Sequence, residues 1–292
     1  KVSRLSLSSG PELSTLSPHT YSFAGRKCKD FFIFQKKFLP PPYICFPITT
    51  LSVNLIIDIG NSRVKSALFQ KGQLIRQQMH ECFDPARIAA LWEREEPEKA
   101  IISNVGKEVE WPNGWDFPFI ELGASTPLPF SNKYKSPATL GRDRLALTAA
   151  AVLKFPGQNC LVIDTGTCIT YDFVDRHAVY HGGGISPGLQ MRLRSLNHYT
   201  SRLPLVNYQQ NFDPIIGDTT DNSILSGTVG GFKREVYATI VAYQERYPDI
   251  LTMITGGDAY MFDDLLKNSI FAAPDFLMTG LNHILDYNAE RL

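Results

Sequence analysis

The 292-residue sequence predicts a two-domain α/β protein with a cleft between its halves. Two observations carry that prediction. Leu55-Ile56-Ile57-Asp58-Ile59-Gly60-Asn61 and Leu161-Val162-Ile163-Asp164-Thr165-Gly166-Thr167 are both apolar runs ending in Asp-x-Gly-polar, 106 residues apart. Each run is followed by a second strand-like stretch and then by helical stretches. Two halves built as strands followed by helices leave a crevice where they meet.

The elements follow in order. Leu55 to Ile57 is an apolar strand ending at Asp58, and Gly60-Asn61 reads as a tight turn because both residues tolerate positive φ. Val64 to Phe69 is the returning strand and Gln73 to Gln78 a third, so the first half opens as an antiparallel meander. Asp84 to Arg94 reads as a helix and Lys99 to Ser103 as a strand. Asp143 to Phe155 is helical, with an alanine-rich stretch at Ala149 to Ala151. In the second half, Ile169 to Val174 is the returning strand. Helices are expected over Gly188–Asn197, Thr220–Arg246, Asp258–Leu266 and Phe276–Tyr287. The long one keeps Ile224, Val229, Phe232, Val236, Ile240 and Tyr243 close to one apolar stripe. Leu251 to Thr255 is a strand running into Gly256-Gly257. The expected organisation is an extension over residues 1–52, an N-terminal domain over 53–157 and a C-terminal domain over 158–292.

Lys+Arg and Asp+Glu each number 29, so the formal net charge is zero, and 43% of residues are hydrophobic. Neutrality gives no general attraction to nucleic acid or an anionic membrane, and no apolar run approaches the length of a spanning helix. The charge is unevenly placed: residues 1–52 carry a net +5 and the remainder −5. That first segment is rich in Ser, Thr and Pro and lacks a regular period, and prolines interrupt its one candidate secretory core, Phe38 to Leu51. The chain begins with Lys1 and its first methionine is Met79, so residues 1 to about 50 read as disordered or non-native sequence. The five cysteines are widely spaced without a C-x-x-C, which points to free thiols in a reducing cytoplasm.

The two turns carry phosphate-binding parts. In Asp58-Ile59-Gly60-Asn61-Ser62-Arg63-Val64-Lys65, Gly60 lets backbone N–H groups approach a ligand. Asn61 and Ser62 add neutral donors, and Lys65 adds a point charge. Asp58 repels phosphate unless a cation stands between them, as Mg²⁺ does. A second copy at Asp164–Thr167 lets the pair hold both ends of a triphosphate across the cleft. Gly141-Arg142-Asp143-Arg144 lies at a helix start, where an acid is ordinarily a cap. Arginines on both sides exceed what capping needs. They could bind an anionic substrate and keep Asp143 ionised as a general base. Gly256-Gly257 reads as an ordinary strand-to-helix turn. His177, His181 and His198 lack metal-ligand spacing and read as surface or structural residues.

Together these segments resemble type III pantothenate kinase, of the acetate-and-sugar-kinase/Hsp70/actin superfamily. The resemblance spans roughly residues 53–285 and rests on Asp58–Lys65, Tyr134–Arg144, Asp164–Thr167, Gly182–Gly188, Ile216–Gly227 and Gly256–Gly257, in family order. It implies two related ribonuclease H-like (actin-like ATPase) domains and ATP-dependent phosphorylation of pantothenate. By that resemblance Asp58, Ile59, Gly60, Asn61, Ser62, Arg63, Val64 and Lys65 bind the triphosphate with Mg²⁺, and Thr167 contacts ATP. Asp164 holds a monovalent cation, K⁺ or NH₄⁺, and Asp143 accepts the proton. Tyr134, Gly141, Arg142, Asp143, Arg144 and Thr220 surround pantothenate. A homodimer in the cytoplasm is implied, with no nucleic acid or membrane partner. The chain departs from the family at Ser62, where threonine is usual, at Cys168, where alanine is common, and at Asp218-Thr219, where Lys-Asn precedes the threonine. The last change reverses a charge near an anionic substrate. The alternatives are a kinase for another small hydroxylated acid or sugar and a non-catalytic nucleotide-binding regulator.

Overall fold

Two sheets share one strand order. The computed structural model describes residues 52–61, 63–106, 109, 118–209, 215–265, 270–272 and 275–289. Residues 1–51, all but the last residue of the expected extension, and Ser62 lie outside the described residues. The first sheet is built from β1 (Val53–Ile59), β2 (Val64–Gln70), β3 (Gln73–His80), β4 (Lys99–Asn104) and β5 (Phe119–Glu121), in the order β3-β2-β1-β4-β5. The second contains β6 (Ser131–Asn132), β7 (Cys160–Thr165), β8 (Cys168–Val174), β9 (Val179–Pro187), β10 (Leu251–Thr255) and β11 (Ile270–Ala272), in the order β11-β10-β7-β8-β9-β6. Apart from the short β6 at its edge, the second sheet repeats the first. In both, three strands form an antiparallel meander and two further strands run parallel to the first. The repeated Asp-x-Gly segments are therefore the first hairpins of two equivalent sheets.

The helices are α1 (Pro85–Glu95), α2 (Arg142–Lys154), α3 (Leu189–His198), α4 (Thr220–Arg246) and α5 (Phe276–Tyr287). Their starts follow local chemistry. Asp84 caps α1 by accepting from the Ala86 and Arg87 N–H groups, with Pro85 at the first helical position. Thr219 caps α4 by accepting from Asn222 N at 3.1 Å. The segment expected as a helix over Asp258–Leu266 is a 3₁₀ helix, Ala259–Leu265. β9 carries no strand signal in the sequence because three consecutive glycines lower strand propensity. Glycine is required there: a Cβ on Gly183, opposite Asp172, would lie 1.7 Å from the Tyr171 carbonyl oxygen.

Strand alternation then decides which side chains meet which helix. On β1, Leu55, Ile57 and Ile59 pack with Ile88 and Leu91 of α1, whereas Ile56 packs with Leu145 and Ala149 of α2 and Leu281 and Ile284 of α5. On β7, Leu161 and Ile163 join Val229, Phe232 and Val236 of α4, whereas Cys160 and Val162 join Leu147, Ala150 and Ala151 of α2. Helix α2 thus packs on both sheets, and α5 returns to cover the first. Asn54 at the start of β1 fixes that return. It donates to Asn282 at 2.7 Å and to Asp286 at 2.9 Å, and Lys99 pairs with Asp286.

The contact between α2 and α5 is close because both present small residues. A Cβ on Gly280 would sit 1.8 Å from the Ala146 carbonyl oxygen, so the backbones cannot keep this spacing around any other residue. Gly280→Ala is expected to destabilise the protein by about 1–3 kcal/mol through overpacking, exceeding the roughly 1 kcal/mol gained in helix propensity. Gly227→Ala, on an exposed face of α4 with open space around the added methyl, is expected to be neutral or stabilising. Urea unfolding midpoints of the two variants check both.

Candidate active site

Asp58 and Asp164 occupy equivalent ends of β1 and β7. By alternation each lies on the α2-facing side of its strand, with Ile56 and Val162 respectively. Helix α2 begins there with Arg142, Asp143 and Arg144. Lys65 is the cross-strand partner of Asp58 in the β1–β2 hairpin, and Ser103 is its partner on β4. The structure therefore brings Asp58, Lys65, Asp143 and Asp164, which are widely separated in sequence, into one electrostatic cluster.

Three carboxylates against one lysine leave an excess of negative charge in a recessed place. Burial pushes the Asp58 carboxyl up to about 6. The Asp143 charge adds to the rise, while Lys65 and the Ser103 hydroxyl oppose it. Asp164 is pushed up to about 7 by burial first, then by Asp143, with smaller contributions from Asp172 and Asp58 and an opposing one from Lys65. Oδ1 of Asp58 is buried and makes no hydrogen bond among the described residues. A cation would satisfy that oxygen and relieve the charge imbalance together, and carboxylate oxygens suit Mg²⁺. A separate groove of about 530 Å³ lies between β3 and α1, and none of these acids lines it.

The turns themselves differ from the expectation in one respect. Neither Gly60 nor Asn61 takes a positive φ. The Gly60 N–H closes the turn onto the Arg63 carbonyl at 3.0 Å, and Gly166 N does the same onto Cys168 O at 3.0 Å. Glycine is present for space: a Cβ on Gly106, after β4, would lie 3.0 Å from the Gly60 carbonyl oxygen. The second turn is enclosed similarly. Gly188 N donates to Thr167 O, and a Cβ on Gly188 would lie 2.3 Å from Gly166 O. Gly256, at φ +98°, leaves no room for a Cβ, which would meet Asp164 Oδ1 at 2.4 Å. The first glycine of the pair read as an ordinary turn is thus packed against the Asp164 carboxylate, while Gly257 has open space around it. Of these residues the sequence reading missed Ser103, Gly106 and the role of Gly256. A glycine directly after a strand was the available signal for Gly256.

The two arginines beside Asp143 are not equivalent. Arg142 is half-buried and donates from Nε to the Leu122 carbonyl and from Nη1 to Asn104 O at 3.0 Å. Arg144 is buried. It donates to Asp172 Oδ1 from Nε at 2.8 Å and pairs with the same oxygen through Nη2 at 2.7 Å. The Tyr134 ring lies 5.7 Å from its guanidinium carbon. Gly141 gives the Asp143 carboxylate room, since a Cβ there would lie 2.4 Å from Oδ1. Tyr134, Gly141, Arg142, Asp143 and Arg144 therefore gather at the start of α2. Thr220 opens α4, and no hydrogen bond or ion pair among the described residues joins it to that cluster. The preceding Asp218 accepts from the Asn222 side chain at the α4 N-terminus, where the helix dipole favours a negative charge. Thr167 is exposed at the tip of the β7–β8 turn.

The raised carboxyls set a pH dependence. Folded Asp58 and Asp164 keep protons that the unfolded chain releases near 3.8. Their stabilising contribution is complete below that pH and is lost as pH rises through about 6 and about 7. Asp164→Asn removes its share. Between about pH 5 and pH 8 the wild-type melting temperature is expected to fall more than the variant's, by about 3 °C or more, in scans without divalent cation.

Comparison with known proteins places this architecture. A family model described as type III pantothenate kinase matches residues 54–242. A type III pantothenate kinase from Christiangramia forsetii is 42% identical over 241 residues, covering 81% of this chain and 99% of that protein. One from Bacteroides fragilis is 42% identical over 244 residues, covering 82% and 100%. Among solved structures, one described as a conserved putative Baf family transcriptional activator from Campylobacter jejuni superposes with a TM-score of 0.53 at 21% identity. It covers 81% of this chain and 99% of its own, and it supports the fold alone. With repeated sheets of one topology, a carboxylate cluster at their first turns and relatives at this identity over nearly their full length, the chain belongs to the type III pantothenate kinase family.

Proposed function

We propose that the chain transfers the γ-phosphoryl group of ATP to pantothenate, giving 4'-phosphopantothenate, the first committed step toward coenzyme A. The observation that carries this reading is the convergence of Asp58, Lys65 and Asp164 from two equivalent hairpins on the helix start that bears Asp143. Pure nucleotide binding needs the hairpins but no carboxylate on α2.

In this reading Asp58 to Lys65 receive the triphosphate and Thr167 contacts ATP from the second turn. Mg²⁺ enters with ATP as part of the substrate and neutralises phosphate charge. Asp58, with its unsatisfied oxygen, would face it directly or through water. Asp164 would hold a monovalent cation. The primary hydroxyl of pantothenate attacks the γ-phosphorus, the bond to the β-phosphate oxygen breaks, ADP leaves, and Asp143 takes the hydroxyl proton. Intramolecular bonds use Nε and Nη1 of Arg142 and Nε and Nη2 of Arg144. One terminal amino group remains on each, and one or both arginines would hold the substrate carboxylate, with Tyr134, Gly141 and Thr220 around it. A homodimer fits the exposed Tyr199, Ile215, Ile216 and Tyr237 of the second half. Free thiols at Cys82, Cys160 and Cys168 fit a reducing cytoplasm.

A coupled ADP-release assay with and without pantothenate tests the activity, and pantothenate-independent or absent ADP release overturns it. Asp143→Asn is expected to bind ATP as before while kcat falls by about 10²–10⁴. A near-normal kcat removes Asp143 from the role. Exchanging potassium for sodium is expected to weaken ATP binding, and indifference to the cation removes Asp164 as its ligand.

A further inference from the structure

The first turn of α2 has no side-chain cap: its N-cap is Gly141. Something else must fix the direction in which Asp143 points, and the flanking arginines do so from opposite sides. Arg142 grips the first sheet through the carbonyls of Leu122, which follows β5, and Asn104, the last residue of β4. Arg144 grips the second sheet through Asp172 and, at 3.4 Å, the Tyr171 carbonyl, both on β8. Between them, Arg144 N donates to Asp143 Oδ1 at 2.8 Å, so the backbone that Arg144 anchors also holds the carboxylate.

We propose that Asp172 is a positioning residue for phosphoryl transfer: through Arg144 it fixes the helix start carrying Asp143 to the second sheet, opposite the grip of Arg142 on the first. Asp172 lies outside the segments that carry the family resemblance. It lies in an apolar strand, and alternation turns it toward α2 together with Val174, while Tyr171 and Phe173 face α3 and α4. It is 1% exposed and Arg144 is 3% exposed. Both Arg144 donors and the Tyr180 hydroxyl, at 2.7 Å, converge on Oδ1, while Oδ2 is buried without a hydrogen-bond partner. A buried ion pair with one oxygen unsatisfied is a poor source of stability, and apolar residues of the same volume would serve a core as well or better. What the arrangement does supply is direction. The planar guanidinium meets Oδ1 through two nitrogens, and the Tyr180 hydroxyl keeps that oxygen from turning away. A misplacement of the reacting group by about 1 Å can cost on the order of 10²-fold in rate, so a residue that never touches substrate can control turnover.

This inference rests on the proposed kinase activity, and the test separates the two. Wild-type protein is assayed first for pantothenate-dependent ADP release, and its failure refutes the activity itself. Asp172→Asn keeps the shape and one acceptor oxygen but removes the charge. The expected result is a fall in kcat of about 10- to 100-fold, with ATP affinity, measured directly by titration calorimetry, within about threefold of wild type. A merely structural role would move nucleotide affinity and melting temperature together and leave kcat per folded molecule unchanged, and that result overturns the proposal. Asp172→Asn leaves Arg144 charged and buried, which can prevent folding. The double variant Arg144→Met with Asp172→Asn removes both charges and is expected to fold. Its kcat at saturating pantothenate is expected to fall by at least about 10-fold. A folded double variant turning over at the wild-type rate also overturns the proposal.

Discussion

Three carboxylates share one lysine where the start of α2 meets the strand ends of two sheets, and much of the architecture serves to hold them there. Asp58 and Asp164 sit at the ends of equivalent strands, and Asp143 lies on the helix that both strands face. Burial first, and then the charge of Asp143, raise the carboxyls of Asp58 and Asp164 well above the ordinary range. A protein gains no stability from such a cluster. It gains a place where a cation would relieve charge that the fold has forced into proximity.

Close packing makes that proximity possible. Helix α2 is buried over most of its length and alanine-rich, so it can lie against both sheets and against α5 at once. Gly280 lets the α5 backbone approach the Ala146 carbonyl. Glycines also crowd the two turns: Gly106 against the first, Gly188 and Gly256 against the second. In each case the missing side chain is what allows backbone or carboxylate to approach. Glycine therefore acts here mainly through volume, with backbone freedom required at Gly256.

Much of this was legible in the linear pattern. The bounds of α4 and β10 were readable because a long apolar stripe and a short apolar run ending in Gly-Gly are local signals. The three-residue β5 and β11, the two-residue β6 and the glycine-rich β9 were not, since their strand character comes from pairing partners. Asp218-Thr219, read as a charge reversal near substrate, caps the long helix.

By itself the sequence determined the duplicated hairpins, the helix starts, the acids at the turns and the family, because these depend on residue type and short-range spacing. Only the tertiary structure decided how those parts are used. Period-two alternation states that Asp58, Asp164 and Asp172 each share a face with particular neighbours. It does not state that all three faces meet α2. The fate of Arg142 and Arg144 lies in partners 20, 38 and 28 residues away, and the anchoring of α5 lies in a hydrogen bond spanning 228 residues. Such contacts form only after the chain has closed its loops, so no local window carries them.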